Sequence, residues 1–232
     1  MYRGYLALPL IVVYTVAFGV PAIVCGMLGL PRAVHGLART WARAILWALG
    51  IDVSVSGAEN CPTGPAVYAA NHASVVDTPV VFGHLPVDFK ILHKRSLYLV
   101  PVLGQYLYAG GHIGIHRGSG FRARRGLARA AARIRGGASV VVFPEGTRQR
   151  GDGGVGAFKR GSFVLALEAG VPVVPLSIIG VKRVSFGALR VRAGRVRVVV
   201  HPPVPTAGRD AHQAAALAEE VRRIVAAGCE AA

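Results

Sequence analysis

The pattern of apolar and polar positions divides the chain near residue 50. No residue between Arg3 and Arg32 is charged, and the apolar run at 5–31 reads YLALPLIVVYTVAFGVPAIVCGMLGLP. At about 1.5 Å per residue, this run is long enough to cross the hydrocarbon core of a bilayer. A shorter apolar helix with basic flanks follows in RTWARAILWALG. The pattern therefore predicts membrane-anchoring helices over residues 1–49.

Two other interpretations of the apolar run remain. A cleaved signal peptide would use Arg3 as its basic end, but the run is longer than a usual signal core and no small-residue cleavage site ends it. Pro21 also permits a kinked helix that enters and leaves the same leaflet. The pattern does not separate a spanning helix from a re-entrant one.

After Gly50 the pattern changes to short β-branched runs separated by helical stretches. Strands are predicted in IDVSVS, AVYAA, DFKILHK, IGIHR, SVVVFP, VVPLSII and VRVVVHP, and helices around Val76–Leu85, Phe121–Arg135, Gly161–Ala169 and Asp210–Ala227. This alternation predicts an α/β domain over residues 50–232, with a mostly parallel central sheet flanked by helices. In such a sheet, chemistry collects at the carboxyl ends of the strands. The alternation in LRVRAGRVRVVV predicts a hairpin with its arginines on one side: Arg190, Arg192, Arg195 and Arg197.

Composition narrows the possible partners. The sequence is 53% hydrophobic, and its 27 Lys and Arg against 11 Asp and Glu give a net charge of +16. Such a charge favours nucleic acid, anionic lipid headgroups or phosphorylated substrates. The most basic segment, RGSGFRARRGLARAAARIRGG at 117–137, has one aromatic residue, Phe121, for base stacking. Together with the apolar N-terminal segment, this favours an anionic membrane surface over nucleic acid.

The three cysteines are Cys25, Cys61 and Cys229. They are scattered, odd in number and without C-x-x-C spacing, so they indicate neither a disulfide framework nor a zinc site. A reducing location that faces the cytosol fits this usage best.

The segment YAANHASVVDTPV at 68–80 holds the first candidate chemistry. On one continuous helix, His72 and Asp77 would point about 140° apart and lie about 7.5 Å apart along the axis, too far for a direct hydrogen bond. They can meet if His72 lies in the turn after the strand and Asp77 begins the following helix. One ring nitrogen would then bind Asp77 and leave the other free as a general base. The alternative is a histidine at a helix start, with Asp77 as a solvated first-turn acid.

Two further segments suit anion binding. In VVVFPEGTRQR a strand leads into a tight polar turn, in which Gly146 is free to take a positive φ and Arg148 offers a planar fork for phosphate or carboxylate. In GGHIGIHRGSGF, Arg117 ends a strand beside flexible glycine backbone donors, an arrangement that suits phosphate. The alternatives are a Glu145–Arg148 ion pair across the turn and an ordinary exposed strand end.

Four blocks occur in order between about Val67 and Ile178: N-H-x-x-x-x-D, GHIGIHR, FPEGTR and VPVVPLSI. Together they resemble the glycerolipid acyltransferases of the 1-acylglycerol-3-phosphate (lysophosphatidic acid) acyltransferase family. The second block departs from the common pattern because His116 precedes Arg117, and this leaves the identity of the acceptor open.

The resemblance implies roles for eight residues. His72 would be the general base and Asp77 the acid that orients it. The predicted phosphate-binding residues are Lys94, Arg117, Glu145, Gly146, Thr147 and Arg148. No metal or cofactor is implied, and acyl-CoA or acyl-carrier protein would be the co-substrate.

The implied reaction moves a fatty acyl group from such a thioester to the free hydroxyl of 1-acyl-sn-glycerol-3-phosphate, which makes phosphatidic acid for phospholipid biosynthesis. The expected partners are the thioester, the lysophospholipid and an anionic membrane surface, on the cytoplasmic face of the cell membrane. Three alternatives stay open: another acceptor, such as glycerol 3-phosphate or a non-phosphate lipid, a non-catalytic lipid-binding protein, or a basic nucleic-acid-binding module.

Overall fold

A seven-stranded sheet lies at the centre of the computed structural model, which describes residues 4–116, 120–149, 154–186 and 190–231. The described strands are β1 (Ile51–Ser56), β2 (Val67–Ala70), β3 (Phe89–Lys94), β4 (Ile113–Ile115), β5 (Ser139–Val142), β6 (Val173–Ile179), β7 (Ser185–Phe186), β8 (Arg190–Val191) and β9 (Gly194–Val200). Strands β7 and β8 form a separate pair, and the other seven form the central sheet. The order in the sheet is β1-β9-β6-β2-β5-β3-β4, and only the β6–β9 pair is antiparallel. The predicted mostly parallel sheet is confirmed.

The helices flank this sheet. They are α1 (Gly4–Met27), α2 (Pro31–Leu49), α3 (Asp77–His84), α4 (Leu103–Ala109), α5 (Gly120–Arg135), α6 (Gly161–Ala169), α7 (Val181–Val184) and α8 (Ala214–Glu230). Short 3₁₀ turns lie at Ala58–Asn60, Arg95–Leu99 and Ala211–Gln213. The sequence pattern did not predict α4. The apolar run around this helix shows no clear period and contains Pro101 and Gly104.

The predicted arginine hairpin is wrong. Strand β8 pairs with β7, whereas β9 lies inside the main sheet between β1 and β6. Local alternation described β9 correctly, since Arg195 and Arg197 are exposed while Val196 and Val198 are buried. Strand pairing depends on partners distant in sequence, which the alternation does not contain.

The sheet separates two apolar cores, because side chains alternate between its faces along each strand. In β2, Tyr68 and Ala70 face a core that α2, α3 and α4 cover. Val67 and Ala69 face the opposite core, which α5, α6 and α8 cover. Helices α1 and α5 consequently lie on opposite sides of the sheet, since α1 packs against α2 and α4.

Helix α1 packs by one face only. Of its residues from Pro9 to Met27, only Ala22 is buried, whereas Val12, Val13, Val16, Val20 and Val24 are each about half exposed. It is the one described helix that is long and apolar enough to span a membrane, over Pro9–Met27. Helix α2 differs, because Ala42, Ile45, Leu46 and Leu49 are buried in the domain core. It therefore belongs to the folded body as well as to the predicted N-terminal segment.

Candidate active site

The candidate catalytic residues follow the carboxyl end of β2, in the middle of the sheet. Asn71 fixes the start of this turn: its Nδ2 donates to the Ile178 carbonyl at 3.0 Å, and its Oδ1 accepts from the Ile178 amide at 2.7 Å. Both groups are buried, so the pair satisfies backbone atoms that would otherwise be costly to bury. Asn71 thereby ties the His72 turn to the neighbouring strand β6.

His72 and Asp77 meet as the turn hypothesis predicted. Helix α3 begins at Asp77, and His72 Nδ1 lies 2.8 Å from Asp77 Oδ2. The same oxygen accepts from the amides of Ala73 at 2.7 Å and Ser74 at 2.8 Å. Since carboxylate oxygens accept hydrogen bonds, this contact favours the tautomer in which Nδ1 carries the hydrogen. Asp77 is fully buried whereas the His72 side chain is 18% exposed, so His72 is the accessible member of the pair.

The turn after β5 holds His72 from the other side. The Phe143 ring stacks on the imidazole with centroids 4.3 Å apart. The His72 amide donates to Glu145 Oε1 at 3.0 Å, and the Gln149 amide donates to the His72 carbonyl at 2.9 Å. Phe143 and the following PEGTRQ segment, residues 144–149, thus hold the imidazole through a ring contact and the His72 backbone through two hydrogen bonds.

Glu145 faces inward and does not form the ion pair with Arg148 that the sequence left open. Only 3% of Glu145 is exposed, and Oε2 has no hydrogen-bond partner among the described residues. Burial raises the pKa of this carboxyl, and the hydrogen bond from the His72 amide partly opposes the shift. Glu145 therefore contacts the His72 backbone from inside the turn, and its predicted phosphate-binding role stays a prediction.

Glu145→Gln is expected to become more stable relative to wild type as pH rises. The folded protein binds the Glu145 proton more tightly than the unfolded chain does, so wild type loses stability as pH rises from the ordinary value of 4.5 toward the raised pKa. Glutamine keeps an acceptor for the His72 amide but has no charge to bury. Thermal melts of both proteins between about pH 4 and pH 8 measure the difference.

Glu219→Gln is the matched control. Glu219 is exposed, and its hydrogen bond from Arg222 lowers its pKa, so its variant should lose stability relative to wild type as pH rises toward 4.5 and show no further trend above that value. The same pH trend for both variants would contradict an unfavourable buried charge at Glu145.

An exposed cationic surface lies beside this turn. Gly146 has a φ of 74°, and Thr147 and Arg148 are exposed. The Lys159 amide donates to the Pro144 carbonyl at 2.9 Å, and Lys159 Nζ lies 2.8 Å from the position that a Cβ on Gly146 would occupy. Glycine is favoured here by its backbone conformation, and the end of the Lys159 side chain lies in the space beside it. Arg148 and Lys159 form no ion pair within the described part of the chain.

The sequence prediction missed Lys159. It is one basic residue among 27, and only its contact with the Gly146 turn distinguishes it. Lys94 ends β3 at the same edge of the sheet and is exposed. Strand β5 lies between β3 and β2, so Lys94 starts about 10 Å from the His72 strand. Arg117 lies outside the described residues, and its role stays a prediction.

An apolar cavity of about 590 Å³ adjoins the His72 turn. Its walls come from α1, α2, α3, β3, α4 and the 3₁₀ turn at Arg95–Leu99, and Val75, Thr78 and Pro79 line it next to Asp77. Val102, the residue before α4, has a φ of 64°, which is unusual for a β-branched residue. It lies close against Gly19 of α1, since a Cβ there would be 2.7 Å from Val102 Cγ1. An apolar ligand of lipid size fits such a cavity.

This arrangement could carry out proton transfer beside a cationic surface and an apolar cavity. Among the described residues, no group of three or more His, Cys, Asp and Glu side chains is placed to hold a metal. The cysteines Cys25, Cys61 and Cys229 are free thiols.

Comparison with known proteins gives the family. Residues 52–179 match the acyltransferase family model. The chain is similar to the chloroplastic 1-acyl-sn-glycerol-3-phosphate acyltransferase of Arabidopsis thaliana, with 34% identity over 176 residues, and to the 1-acyl-sn-glycerol-3-phosphate acyltransferase of Pseudomonas aeruginosa, with 32% identity over 175 residues. The chain belongs to the acyltransferase family.

A solved structure extends the similarity to the whole fold. The crystal structure of the 1-acyl-sn-glycerophosphate (LPA) acyltransferase PlsC from Thermotoga maritima superposes with a TM-score of 0.83 at 28% identity, over 98% of this chain and 95% of that one. The matched stretch is 73% of this chain, but it spans 48% of the Arabidopsis protein and 67% of the Pseudomonas protein. The chain thus corresponds to about half the length of the chloroplast relative.

Proposed function

We propose that this protein transfers a fatty acyl group from a thioester to the free hydroxyl of 1-acyl-sn-glycerol-3-phosphate, which yields phosphatidic acid. The observation that carries the proposal is the His72–Asp77 pair with its partly exposed imidazole, on a turn that adjoins an apolar cavity at Val75 and contacts the turn of Gly146 and Lys159 through Glu145. The His72–Asp77 pair suits the reacting hydroxyl, the apolar cavity suits an acyl chain, and the cationic turn suits the phosphate of the acceptor. The relatives named as 1-acyl-sn-glycerol-3-phosphate acyltransferases support the same acceptor.

The proposed reaction uses His72 as a general base. Nε2 removes the proton of the acceptor hydroxyl while its oxygen attacks the thioester carbonyl carbon. The tetrahedral intermediate then expels the thiolate, which takes the proton back from the imidazolium. Asp77 holds Nδ1 at 2.8 Å and stabilises the transient positive charge. No acyl-enzyme forms, and the products are the new ester and the free thiol.

We assign acceptor binding to the cations around the Gly146 turn. The planar guanidinium of Arg148 can donate two parallel hydrogen bonds, and Lys159 carries a compact ammonium charge. Both groups suit a phosphate monoester. Glu145 supports the His72 backbone from inside the same turn. This arrangement couples phosphate binding to the position of the base, because both depend on the PEGTRQ segment. The apolar cavity beside Thr78 and Pro79 would take an acyl chain.

An acyl-transfer assay across acceptors tests the proposal. Purified full-length protein is incubated with palmitoyl-CoA or with palmitoyl-carrier protein and one acceptor: 1-acyl-sn-glycerol-3-phosphate, glycerol 3-phosphate or a monoacylglycerol. The expected result is the highest kcat/KM for 1-acyl-sn-glycerol-3-phosphate, with phosphatidic acid as product. A clear preference for either other acceptor would replace the proposed substrate, and no transfer to any acceptor would refute the enzyme assignment.

We also propose that α1 attaches the protein to the cytoplasmic face of the cell membrane. The uncharged outer face of α1 carries half-exposed valines, and Met27 and Leu28 are 80% and 68% exposed. Its inner face packs along the domain, where Gly19 meets Val102 and Gly26 meets Ala109. This continuous packing favours a helix that lies against the domain with its outer face in lipid over an isolated spanning helix.

Deleting residues 1–30 is expected to release the protein from membranes while α2 and the core remain. The deletion removes the exposed apolar face but keeps Pro31, where α2 begins. Val13→Asp with Val20→Asp is a milder test, because both side chains are about half exposed and less packing is lost than in the deletion. Fractionation into pellet and low-salt supernatant without detergent measures the release. Quantitative recovery of the intact wild-type protein in that supernatant would contradict membrane attachment by α1.

A further inference from the structure

Helix α5 carries a row of arginines that the proposed reaction does not use. Arg125, Arg129 and Arg133 follow one another at intervals of four residues, so they share one side of the helix over about 12 Å. All three are exposed, and the opposite side buries Ala130, Ala131 and Ile134 against the sheet. The helix contains no acidic residue.

The row is not explained by the stability of the fold. Like charges one turn apart repel each other and weaken a helix. The ion pairs among the described residues lie elsewhere, and none of them includes Arg125, Arg129 or Arg133. The Arg133 guanidinium lies beside Gly111. The pKa of Lys90 is lowered mainly by burial and secondly by the charge of Arg133. These positive charges therefore suit an external anion.

The position of α5 argues against membrane lipid as that anion. The seven-stranded sheet lies between α5 and the α1–α2 pair, and the apolar outer face of α1 is the proposed membrane contact. A protein attached through α1 would turn the arginine row away from the bilayer surface. The sequence alone predicts an anionic membrane as the partner of this helix. It contains no information on the placement of α1 and α5 on opposite faces of the sheet.

The row does lie within reach of the reaction. Helix α5 connects the parallel strands β4 and β5, so its amino end lies at the carboxyl edge of the sheet, where His72 also lies. The row has no walls around it, since it lies on the outer side of a surface helix. A compact phosphate ligand such as coenzyme A binds best in a cleft with converging donors, whereas an extended exposed row fits a second protein surface.

We propose that α5 is the docking surface for an acidic acyl carrier protein, which delivers the acyl thioester to the site. This inference rests on the proposed function and specifies its donor. Carrier proteins that hold an acyl chain as a thioester are small, helical and acidic, so their carboxylates complement the arginine row. Arginine binds carboxylates through two parallel hydrogen bonds, and complementary charge speeds encounter and sets orientation. The flexible prosthetic arm of such a carrier would then reach around the edge of the sheet.

The test compares two donors in matched variants. Arg125→Gln with Arg129→Gln removes two charges from the row and leaves Arg133 on Gly111. The control is Arg195→Gln with Arg197→Gln, which removes two exposed charges from the same face of the sheet at its far end. KM is measured for palmitoyl-carrier protein and for palmitoyl-CoA, and carrier binding is measured separately by fluorescence anisotropy.

The α5 variant is expected to raise the KM and Kd for the carrier protein by about 5- to 30-fold and to leave the KM for palmitoyl-CoA within about twofold. The control variant should resemble wild type. Added salt should weaken wild-type binding to the carrier more than binding of the α5 variant.

Several results would overturn the docking proposal. They are unchanged carrier binding in the α5 variant, equal losses with both donors, equal losses in the control, and no carrier binding by wild type. Loss of binding to phosphatidylglycerol vesicles with donor kinetics unchanged would assign the row to lipid instead. Failure of the proposed function looks different: wild type would then transfer no acyl group from either donor, while anisotropy would still report on docking.

Discussion

Replacing His72 with alanine is expected to lower kcat by about 10²–10⁴-fold while the fold and donor binding are kept. The substitution removes the imidazole, including Nε2, and leaves Asp77 with its two backbone donors from Ala73 and Ser74. The turn should therefore persist without the base. The measurement is kcat at saturating donor and acceptor, with thermal melts to check folding.

Asp77→Asn is expected to cause a large fall in kcat with a smaller effect on KM. Asparagine keeps the size of the side chain but lacks the charge that stabilises the imidazolium. Asp77 acts through His72 at 2.8 Å, so the double variant should be little worse than His72→Ala. Multiplicative losses in the double variant would show independent roles, and near-normal turnover of well-folded His72→Ala would refute the mechanism.

Removing the cations beside Gly146 is expected to impair phosphorylated acceptors selectively. Arg148→Ala and Lys159→Gln should each lower kcat/KM for 1-acyl-sn-glycerol-3-phosphate by about 10- to 150-fold, equivalent to about 1.5–3 kcal/mol for a lost charged hydrogen bond. Most of the loss should appear as a higher acceptor KM, because phosphate binding precedes the transition state. The KM for the donor should change little.

Arg160→Gln is the matched control for Lys159. Arg160 is the next residue, is also exposed and stands just before α6, but the atoms nearest to a Cβ on Gly146 belong to Lys159 and not to Arg160. A monoacylglycerol acceptor gives a second control, because it has no phosphate to lose. Equal losses with monoacylglycerol, or equal effects of Arg160→Gln and Lys159→Gln, would show that Lys159 does not bind the acceptor phosphate.

The sequence by itself determined the features that depend on neighbouring residues. Alternating apolar runs predicted the main strands, because a strand repeats every two residues whatever its partners are. The His72–Asp77 pair could also be predicted, since five residues are enough to form one turn and begin one helix. The long uncharged run gave α1 for the same reason.

Only the tertiary structure decided the features that join distant residues. The contact of His72 with Glu145 spans 73 residues, and that of Asn71 with Ile178 spans 107. Both depend on β2, β5 and β6 being neighbours in the sheet, an order that no local pattern encodes. The cation over Gly146 and the separation of α5 from α1 arise in the same way. Periodicity shows which side of a strand or helix is apolar, but packing decides which element covers that side. Packing therefore decided where Lys159, Glu145 and the arginine row of α5 lie relative to His72.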